Sequence, residues 1–154
     1  MKAEGLDAVN SMFGEIGAMA EAVATGSLFD GAGVMADAYK KAVSSIKTEP
    51  FKGKRDKRLP SPEEKAAIMG KTGIATFDKN GSEVNTVIGF ASDPGYVMLG
   101  RKKRAVKEIA RSINSGTSFM AKQPVFRRAK NSASKAASAA IVNKADAMLE
   151  ALSK

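Results

Sequence analysis

The final thirty residues constrain the fold most strongly, because they carry the pattern of one long amphipathic helix. Gly116-Thr117 ends the preceding element, and Pro124 suits the first turn of a helix, where its fixed φ is favourable. A helix over 124–152 would be roughly 43 Å long, which is more than a chain of 154 residues needs for its own core. We therefore expect this helix to pack against neighbouring subunits, through its small residues and lysines beyond Ala129. Its apolar face recurs every three or four residues, at Phe126, Ala129, Ala133, Ala136, Ala140, Ile141, Met148 and Leu152.

The composition excludes several classes of function. The chain has no Cys and no His, which removes thiol and imidazole catalysis, disulfides, and zinc or haem sites built on those ligands. No stretch approaches the ~18 apolar residues of a membrane span, and the first ten residues lack the apolar core of a signal peptide. We expect a single domain over 1–154 that is made and folded in a cytoplasm, with no cofactor, no metal and no membrane partner.

The positive charge is concentrated in the last third of the chain. The net charge is +9, and residues 101–154 hold 13 Lys and Arg against three acidic residues, whereas residues 1–100 hold 12 against 13. Such asymmetry indicates an anionic partner, which is either nucleic acid or an acidic protein surface. The alternative is a soluble protein whose basic tail contacts solvent and binds no partner.

Two amphipathic helices are predicted near the N-terminus. The first covers 6–24, and Thr25-Gly26 is a stop signal. Ser27 can cap a second helix that reaches Ile46, although Gly31 and Gly33 weaken its first turns. The sequence then predicts a basic, mobile and exposed loop over about 47–60.

The middle of the chain contains segments with the β-branched, partly alternating residue pattern that is typical of strands. Ser61-Pro62-Glu63-Glu64 starts a short helix that ends at Gly70. Residues 73–90 predict a hairpin that turns at Asn80-Gly81, and residues 96–99 predict a third strand. Residues 105–113 predict another short helix, whose apolar face consists of Val106, Ile109, Ala110 and Ile113. This order predicts an α+β fold, with a small antiparallel sheet of about three to four strands packed against N-terminal helices and the long C-terminal helix.

Two basic clusters are the strongest functional signals in the composition. Lys and Arg without interleaved aromatic residues are typical of contact with phosphate backbones rather than of base stacking. Both clusters are predicted to lie in loops, where they would contact DNA or an acidic partner. The candidate contact residues are Lys52, Lys54, Arg55, Lys57, Arg58, Arg101, Lys102, Lys103 and Arg104.

Motifs for catalysis are weak. Gly70-Lys71-Thr72 resembles the end of a phosphate-binding loop, but it follows a helix and precedes strands, so a helix stop with Gly70 at C′ explains it better. Residues 78–83 lack the glycine position of a calcium loop. Glu63-Glu64 has a structural explanation as a pair of first-turn acids, and only a Ser-Lys pair is not excluded by spacing. We identify no catalytic residue and expect no enzymatic activity.

The C-terminal third nevertheless has a specific pattern. Gly116-Thr117 is followed by a short spacer, then by Gln123-Pro124, Phe126-Arg127 and Ala129, and then by the long final helix. This pattern resembles the head–tail joining, or tail-completion, neck proteins of long-tailed double-stranded DNA phages, which have relatives in tail-like particles. The N-terminal helices, the central hairpin and the strand before the Gly-Thr segment also fit this family. The residues that carry the resemblance are Gly116, Thr117, Gln123, Pro124, Phe126, Arg127 and Ala129.

This resemblance implies a structural virion protein without enzymatic activity. Copies would form a homo-oligomeric ring between the portal–adaptor connector proteins and the tail terminator or tail-tube proteins, with genomic double-stranded DNA in the lumen. The protein would be located in the neck or tail of the virion after assembly in the bacterial host cytoplasm. Two alternatives remain from the residues alone: a stand-alone basic protein that binds nucleic acid without sequence specificity, and a small enzyme that uses carboxylates.

Overall fold

The computed structural model describes residues 6–49, 57–80, 83–90, 95–99 and 102–153. Four helices and short antiparallel strands make up this part of the chain, which confirms the predicted α+β class and the long C-terminal helix. The elements in chain order are α1 (Leu6–Ser44), α2 (Pro62–Lys71), β1 (Thr72–Ile74), β2 (Asp78–Asn80), β3 (Glu83–Asn85), β4 (Ile88–Phe90), β5 (Tyr96–Leu99), β6 (Lys102–Ala105), α3 (Val106–Ser115) and α4 (Val125–Leu152).

Helix α1 is continuous over 39 residues, so the predicted break at Thr25-Gly26 is wrong. Ser27 does not cap a new helix. Its hydroxyl donates instead to the carbonyl of Ala24 one turn earlier, at 3.1 Å, and the residue is buried. A Cβ on Gly26 would lie 3.0 Å from Sδ of Met148. The glycine therefore allows close helix packing, and that packing outweighs its poor helix propensity.

Helices α1 and α4 pack side by side and run antiparallel. Gly26 lies against Met148, Gly31 lies against Ile141, and the Tyr39 ring meets the Phe126 ring at 5.7 Å between centroids. As residue numbers increase along α1, the numbers of the residues that they contact in α4 decrease, so the two helices are antiparallel. Asp30 and Lys144 add an exposed ion pair at 4.0 Å, which contributes little to stability.

The small residues of α4 serve this intramolecular contact. Ala129 is buried, as its predicted role as an anchor requires. Ala133 and Ala137 are buried as well, so the expectation that small residues beyond Ala129 serve subunit contacts is wrong for these two. Ala136 was predicted on the apolar face but is exposed, because the buried face passes through Ala137. Pro124 precedes the first helical residue as N-cap instead of occupying it.

The predicted hairpin is present in two paired sections. Strand β1 pairs with β4 from Thr72↔Phe90 to Ile74↔Ile88, and β2 pairs with β3 from Asp78↔Asn85 to Asn80↔Glu83. The predicted turn at Asn80-Gly81 reaches Gly81, which lies outside the described residues.

Strand β5 confirms the predicted third strand, but it does not join the hairpin. It pairs antiparallel with β6, from Tyr96↔Ala105 to Leu99↔Lys102. The predicted basic loop at 101–104 is therefore a strand over its described residues, 102–104. Both strands of a two-stranded sheet are edge strands, and charged side chains such as lysine and arginine are common on edge strands.

The principal core lies where α2, α3, the end of α1 and the start of α4 meet. The predicted apolar face of α3 is confirmed in full, since all four of its residues are buried. Phe126 also contacts Phe90, edge to face, at 5.3 Å between ring centroids. The buried members of this core are Val43, Ile46, Ile68, Val106, Ile109, Ala110, Ile113, Met120 and Phe126.

Candidate nucleic-acid and partner interface

The structure describes five of the nine predicted contact residues in the basic clusters. Lys52, Lys54, Arg55 and Arg101 lie outside the described residues. Lys57 is exposed, and Lys102 is the first residue of β6. Lys103 is exposed and places its Nζ atom 4.4 Å from the centre of the Tyr96 ring, a cation–π contact.

Arg58 and Arg104 come from different clusters, and the carboxylate of Glu64 brings them together. Nη1 and Nη2 of Arg58 donate to the two carboxylate oxygens of Glu64 at 2.7 Å each. Arg104 donates through Nη1 to Oε1 of Glu64 at 2.9 Å. The Glu64 side chain is 3% exposed, whereas those of Arg58 and Arg104 are 22% and 33% exposed. The group is therefore a largely buried Arg–Glu–Arg cluster with one net positive charge.

Local sequence explains why Glu64 is in this position. Ser61 is the N-cap of α2, its hydroxyl accepts from Glu64 N–H, and Glu64 Oε2 accepts from Ser61 N–H at 2.9 Å. This reciprocal capping box, with Pro62 at the first helical position, confirms the predicted helix start. The sequence predicted the helix start at Ser61-Pro62, but it indicated neither the capping role of Glu64 nor its pairing with two distant arginines.

The electrostatics of the cluster favour its charged form. Burial alone raises the pKa of Glu64, but the hydrogen bonds from Arg58 and Ser61 and the charges of Arg58 and Arg104 outweigh it, so the pKa lies below its ordinary value. The hydrogen bond to Glu64 raises the pKa of Arg58. Two predicted contact residues thus have a structural role as ion-pair partners.

The segment around Arg58 is held in place, so the prediction of a mobile loop is wrong for its described C-terminal end. Arg58 N–H donates to Phe119 O, and its carbonyl accepts from Ala121 N–H, each at 2.9 Å. Glu49 closes the base of the loop, because its carboxylate accepts from Leu59 N–H at 2.7 Å. Lys57, which precedes Arg58 and is the described residue between these anchors, is exposed.

A cleft of about 360 Å³ opens beside the cluster. Its wall combines the two guanidinium groups with hydroxyl groups, which are donors that suit a phosphate or carboxylate. It is lined by Arg58, Arg104, Ser112, Thr117, Ser118, Phe119 and Met120.

The residues of the family resemblance build the connection between α3 and α4. Gly116 caps α3 with φ 76° and ψ 163°, a conformation that L side chains rarely adopt. Thr117 Oγ1 then accepts from the N–H groups of Phe119 and Met120, at 3.2 and 3.0 Å. This hydroxyl fixes a compact turn. The prediction that Gly116-Thr117 ends an element is confirmed.

The second half of this connection fixes the start of α4. The Gln123 amide donates to the carbonyl of Lys47 and accepts from its N–H, at 3.0 and 2.9 Å. Asn114 Oδ1 accepts from Arg127 N–H at 3.3 Å and so supplies a cap that Pro124 cannot. Phe126 and Ala129 anchor the first turns in the core.

Further basic residues, which the cluster-based prediction missed, are exposed on α3 and α4. Lys107 and Arg111 lie four residues apart on α3, whereas the basic residues of α4 are spread unevenly from Arg127 to Lys144. The excess of positive charge in residues 101–154 was the signal that pointed to them. These exposed residues are Lys107, Arg111, Arg127, Arg128, Lys130, Lys135 and Lys144.

The described residues contain no group of three or more Asp and Glu side chains placed to hold a metal ion. Gly70 lies inside α2, and the cap is Thr72, whose hydroxyl donates to Ile68 O at 2.8 Å. The expected position of Gly70 at C′ is therefore wrong, although this segment does end a helix. No helix in the described part of the chain is long and apolar enough to cross a membrane.

Comparisons of the chain with protein-family models, curated proteins and solved structures found no match. The resemblance to neck proteins therefore stays a prediction that depends on the residues of this chain and on the arrangement of the α3–α4 connection.

Proposed function

We propose that this chain is a structural protein of the head–tail interface of a phage or a related tail-like particle. In this role, copies form a ring that joins the connector to the tail tube and lines the DNA passage. The observation that carries the proposal is the construction of the α3–α4 connection from the residues that resemble the neck family.

Six of these seven residues have a separate structural task within fifteen residues of chain. Gly116 and Thr117 make the turn, and Gln123 binds the segment after α1. Pro124 occupies the N-cap position of α4, and Phe126 and Ala129 bury its first turns. Arg127 contributes its N–H to Asn114, which any residue except proline can do. A set of residues that cooperates in one connection supports a likeness of fold more strongly than scattered matches do.

The charge distribution supports passage of DNA through such a ring. The exposed Lys and Arg residues of α3 and α4 can contact phosphates without reading sequence. A heterologous interface repeated by rotation closes a ring around the DNA. The Arg58–Glu64–Arg104 cluster takes less part in this contact, because its guanidinium groups are partly committed to Glu64.

Labelling of purified particles tests the proposal. Particles from the host that carries this gene are treated with an antibody to the protein and viewed by electron microscopy. The proposal predicts label at the junction of head and tail, or at the head-proximal end of a headless tail. Label that is absent from particles, or spread along the tail, would refute it.

A stand-alone nucleic-acid-binding protein is the second candidate. The exposed basic residues of α3 and α4 favour it, since such residues can contact phosphates without a ring. Tight, salt-dependent DNA binding by a protein that never enters particles would favour this candidate over the first.

A further inference from the structure

The cleft beside the Arg58–Glu64–Arg104 cluster has hydrogen-bond donors in its wall that the fold does not use. Nη1 of Arg104 donates to Glu64 Oε1, and the other N–H groups of this guanidinium have no acceptor in the described part of the chain. The Arg104 side chain is 33% exposed and lines the cleft. The wall therefore contains a cation that can still donate to a ligand.

Hydroxyl groups add to this set of donors. Ser112, Thr117 and Ser118 all line the cleft. Among the described residues, the hydroxyls of Ser112 and Ser118 have no hydrogen-bond partner. Thr117 Oγ1 accepts from the backbone N–H groups of Phe119 and Met120, so its own proton is available to a ligand.

Backbone hydrogen bonds join the two sides of the cleft, so its wall is formed before a ligand arrives. Arg58 N–H donates to Phe119 O, and Ala121 N–H donates to Arg58 O, each at 2.9 Å. Thr117 N–H donates to Met120 O at 3.0 Å and closes the turn on the other side. A preformed wall avoids the entropy loss of ordering these residues on binding.

The charge of the wall favours an anion. Arg58 and Arg104 line the cleft, and no acidic side chain among the described residues does. Glu64 is outside the wall, and its side chain is 3% exposed. The cluster therefore keeps one net positive charge, and its cations are the members that reach the cleft.

The charged residues next to the wall do not reverse this sign. Lys57 and Arg111 directly precede wall residues in the chain and are exposed. Glu49 binds the N–H of Leu59 at 2.7 Å, and Glu108 lies one turn before a wall serine on α3. These two cations and two anions sum to zero, which leaves the charge of the cluster.

The arrangement of donors suits a phosphate better than a carboxylate. A carboxylate is satisfied by one guanidinium fork, and it would leave the hydroxyl groups of the wall without an acceptor. A phosphate group has at least three acceptor oxygens, so it can accept from the hydroxyls and the guanidinium together. The cleft volume of about 360 Å³ lies within the range of small-molecule sites, roughly 300–1,000 Å³.

Phe119 adds an aromatic surface to the same wall. It lines the cleft and is 76% exposed, although its backbone is bound to Arg58. Nucleic-acid bases stack on exposed aromatic rings. A nucleotide would therefore use both the polar and the aromatic parts of the wall, whereas free phosphate would use the polar part alone.

We propose that this cleft binds a phosphate group, which is either free or carried by a nucleotide whose base stacks on Phe119. Arg104, Ser112, Thr117 and Ser118 donate to the phosphate oxygens. This site goes beyond the proposed neck function and does not depend on it, because its evidence is the cleft itself.

Variants of the full-length protein test the site without a change of charge. The donor variant is Ser112→Ala with Ser118→Ala, and Phe119→Ala removes the aromatic ring. The control is Ser11→Ala with Ser115→Ala, at two exposed serines that do not line the cleft. All of these variants keep the Arg–Glu–Arg cluster, so circular dichroism should show unchanged folding.

The readout is isothermal titration calorimetry in a phosphate-free buffer, with inorganic phosphate and adenosine monophosphate as separate ligands. The donor variant should bind both ligands about tenfold more weakly or worse, since it loses two hydrogen bonds to a charged group. The control should bind both like the wild type. Phe119→Ala should bind inorganic phosphate like the wild type.

The two ligands distinguish the sources of the phosphate group. If the source is a nucleotide, adenosine monophosphate binds more tightly than inorganic phosphate, and Phe119→Ala weakens its binding about fivefold or more. Equal affinities of the two ligands would assign the site to free phosphate.

Two results would overturn the site itself. One is a wild type that binds neither ligand at millimolar concentrations. The other is a donor variant that binds both ligands as tightly as the control does, because binding would then come from the general positive charge of the surface. Particle labelling tests the neck function separately, and neither outcome there changes this result.

Discussion

The side-chain amide of Gln123 makes two hydrogen bonds with the backbone of Lys47, one to its carbonyl at 3.0 Å and one from its N–H at 2.9 Å. Lys47 lies three residues after the end of α1, and Gln123 lies two residues before α4. The contact therefore fixes the segments at which the two long helices leave and enter the core. Gln123 N–H also donates to Ile113 O at 2.8 Å, which includes α3 in the same junction.

Gln123→Ala should lower the free energy of unfolding by about 1–2 kcal/mol, since it removes two hydrogen bonds that are partly open to water. Urea denaturation followed by circular dichroism measures this change. Lys122→Ala is the matched control at the preceding, exposed position, and it should leave stability almost unchanged. Equal losses for the two variants would mean that the amide does not hold the junction.

Glu64→Gln should destabilise the fold by about 3 kcal/mol, the lower end of the range for breaking a buried ion pair. The lower end applies because Arg58 and Arg104 remain partly exposed and can recover some hydration. Glu63→Gln, in the same helical turn but exposed, is the control and should cause a much smaller change.

The effect of Glu64→Gln should also depend on pH. The folded pKa of Glu64 is lower than its ordinary value of 4.5, so the carboxylate stabilises the fold above that pH, and this contribution is lost as the pH falls through the folded pKa. The stability difference between wild type and variant should therefore shrink below pH 4.5. A difference that stays constant from neutral pH into this acid range would contradict the ion-pair role.

Gly31→Ala should destabilise the α1–α4 pair by about 1–3 kcal/mol through overpacking. The added Cβ would collide with Cγ1 of Ile141 and would lie 2.7 Å from its Cδ1 and 3.0 Å from Ala137 O. Gly33→Ala is the control two residues away, where nothing lies within 4 Å of the new atom. It should stabilise the helix by up to about 1 kcal/mol, and thermal unfolding should show opposite shifts for the two variants.

Lys107→Glu with Arg111→Glu should weaken binding to double-stranded DNA and flatten its salt dependence. Each lost phosphate contact lowers the slope of log K against log salt by about 0.9. Fluorescence anisotropy with two unrelated DNA sequences should show the same loss for both. Lys107→Arg with Arg111→Lys keeps the charge and should bind like the wild type, whereas unchanged binding by the Glu variant would exclude this face of α3 from DNA contact.

Local signals in the sequence predicted the shorter elements well. Ser61 as N-cap, followed by Pro62, marked the start of α2, and Gly116 marked the end of α3, because each is a local feature within one turn of the helix end. The apolar period of α3 predicted its buried face in full.

Features that depend on distant contacts were not predictable in the same way. Gly26 and Gly31 suggest weak points in a helix, but they are places where α4 approaches closely, so α1 continues through them. The strand at Lys102–Ala105 depends on its partner β5. Arg58 and Arg104 meet on Glu64 only after the fold is complete, and neither cluster alone indicates this.

The state of particles made without this protein tests the proposed function most directly. The gene is inactivated in its host and restored from a plasmid, and the particles are imaged by cryo-electron microscopy. The account predicts separate heads and tails, or tails that lack their head-proximal end, and recovery of complete particles when the intact gene is restored. Complete, DNA-filled and normally joined particles without the protein would contradict it.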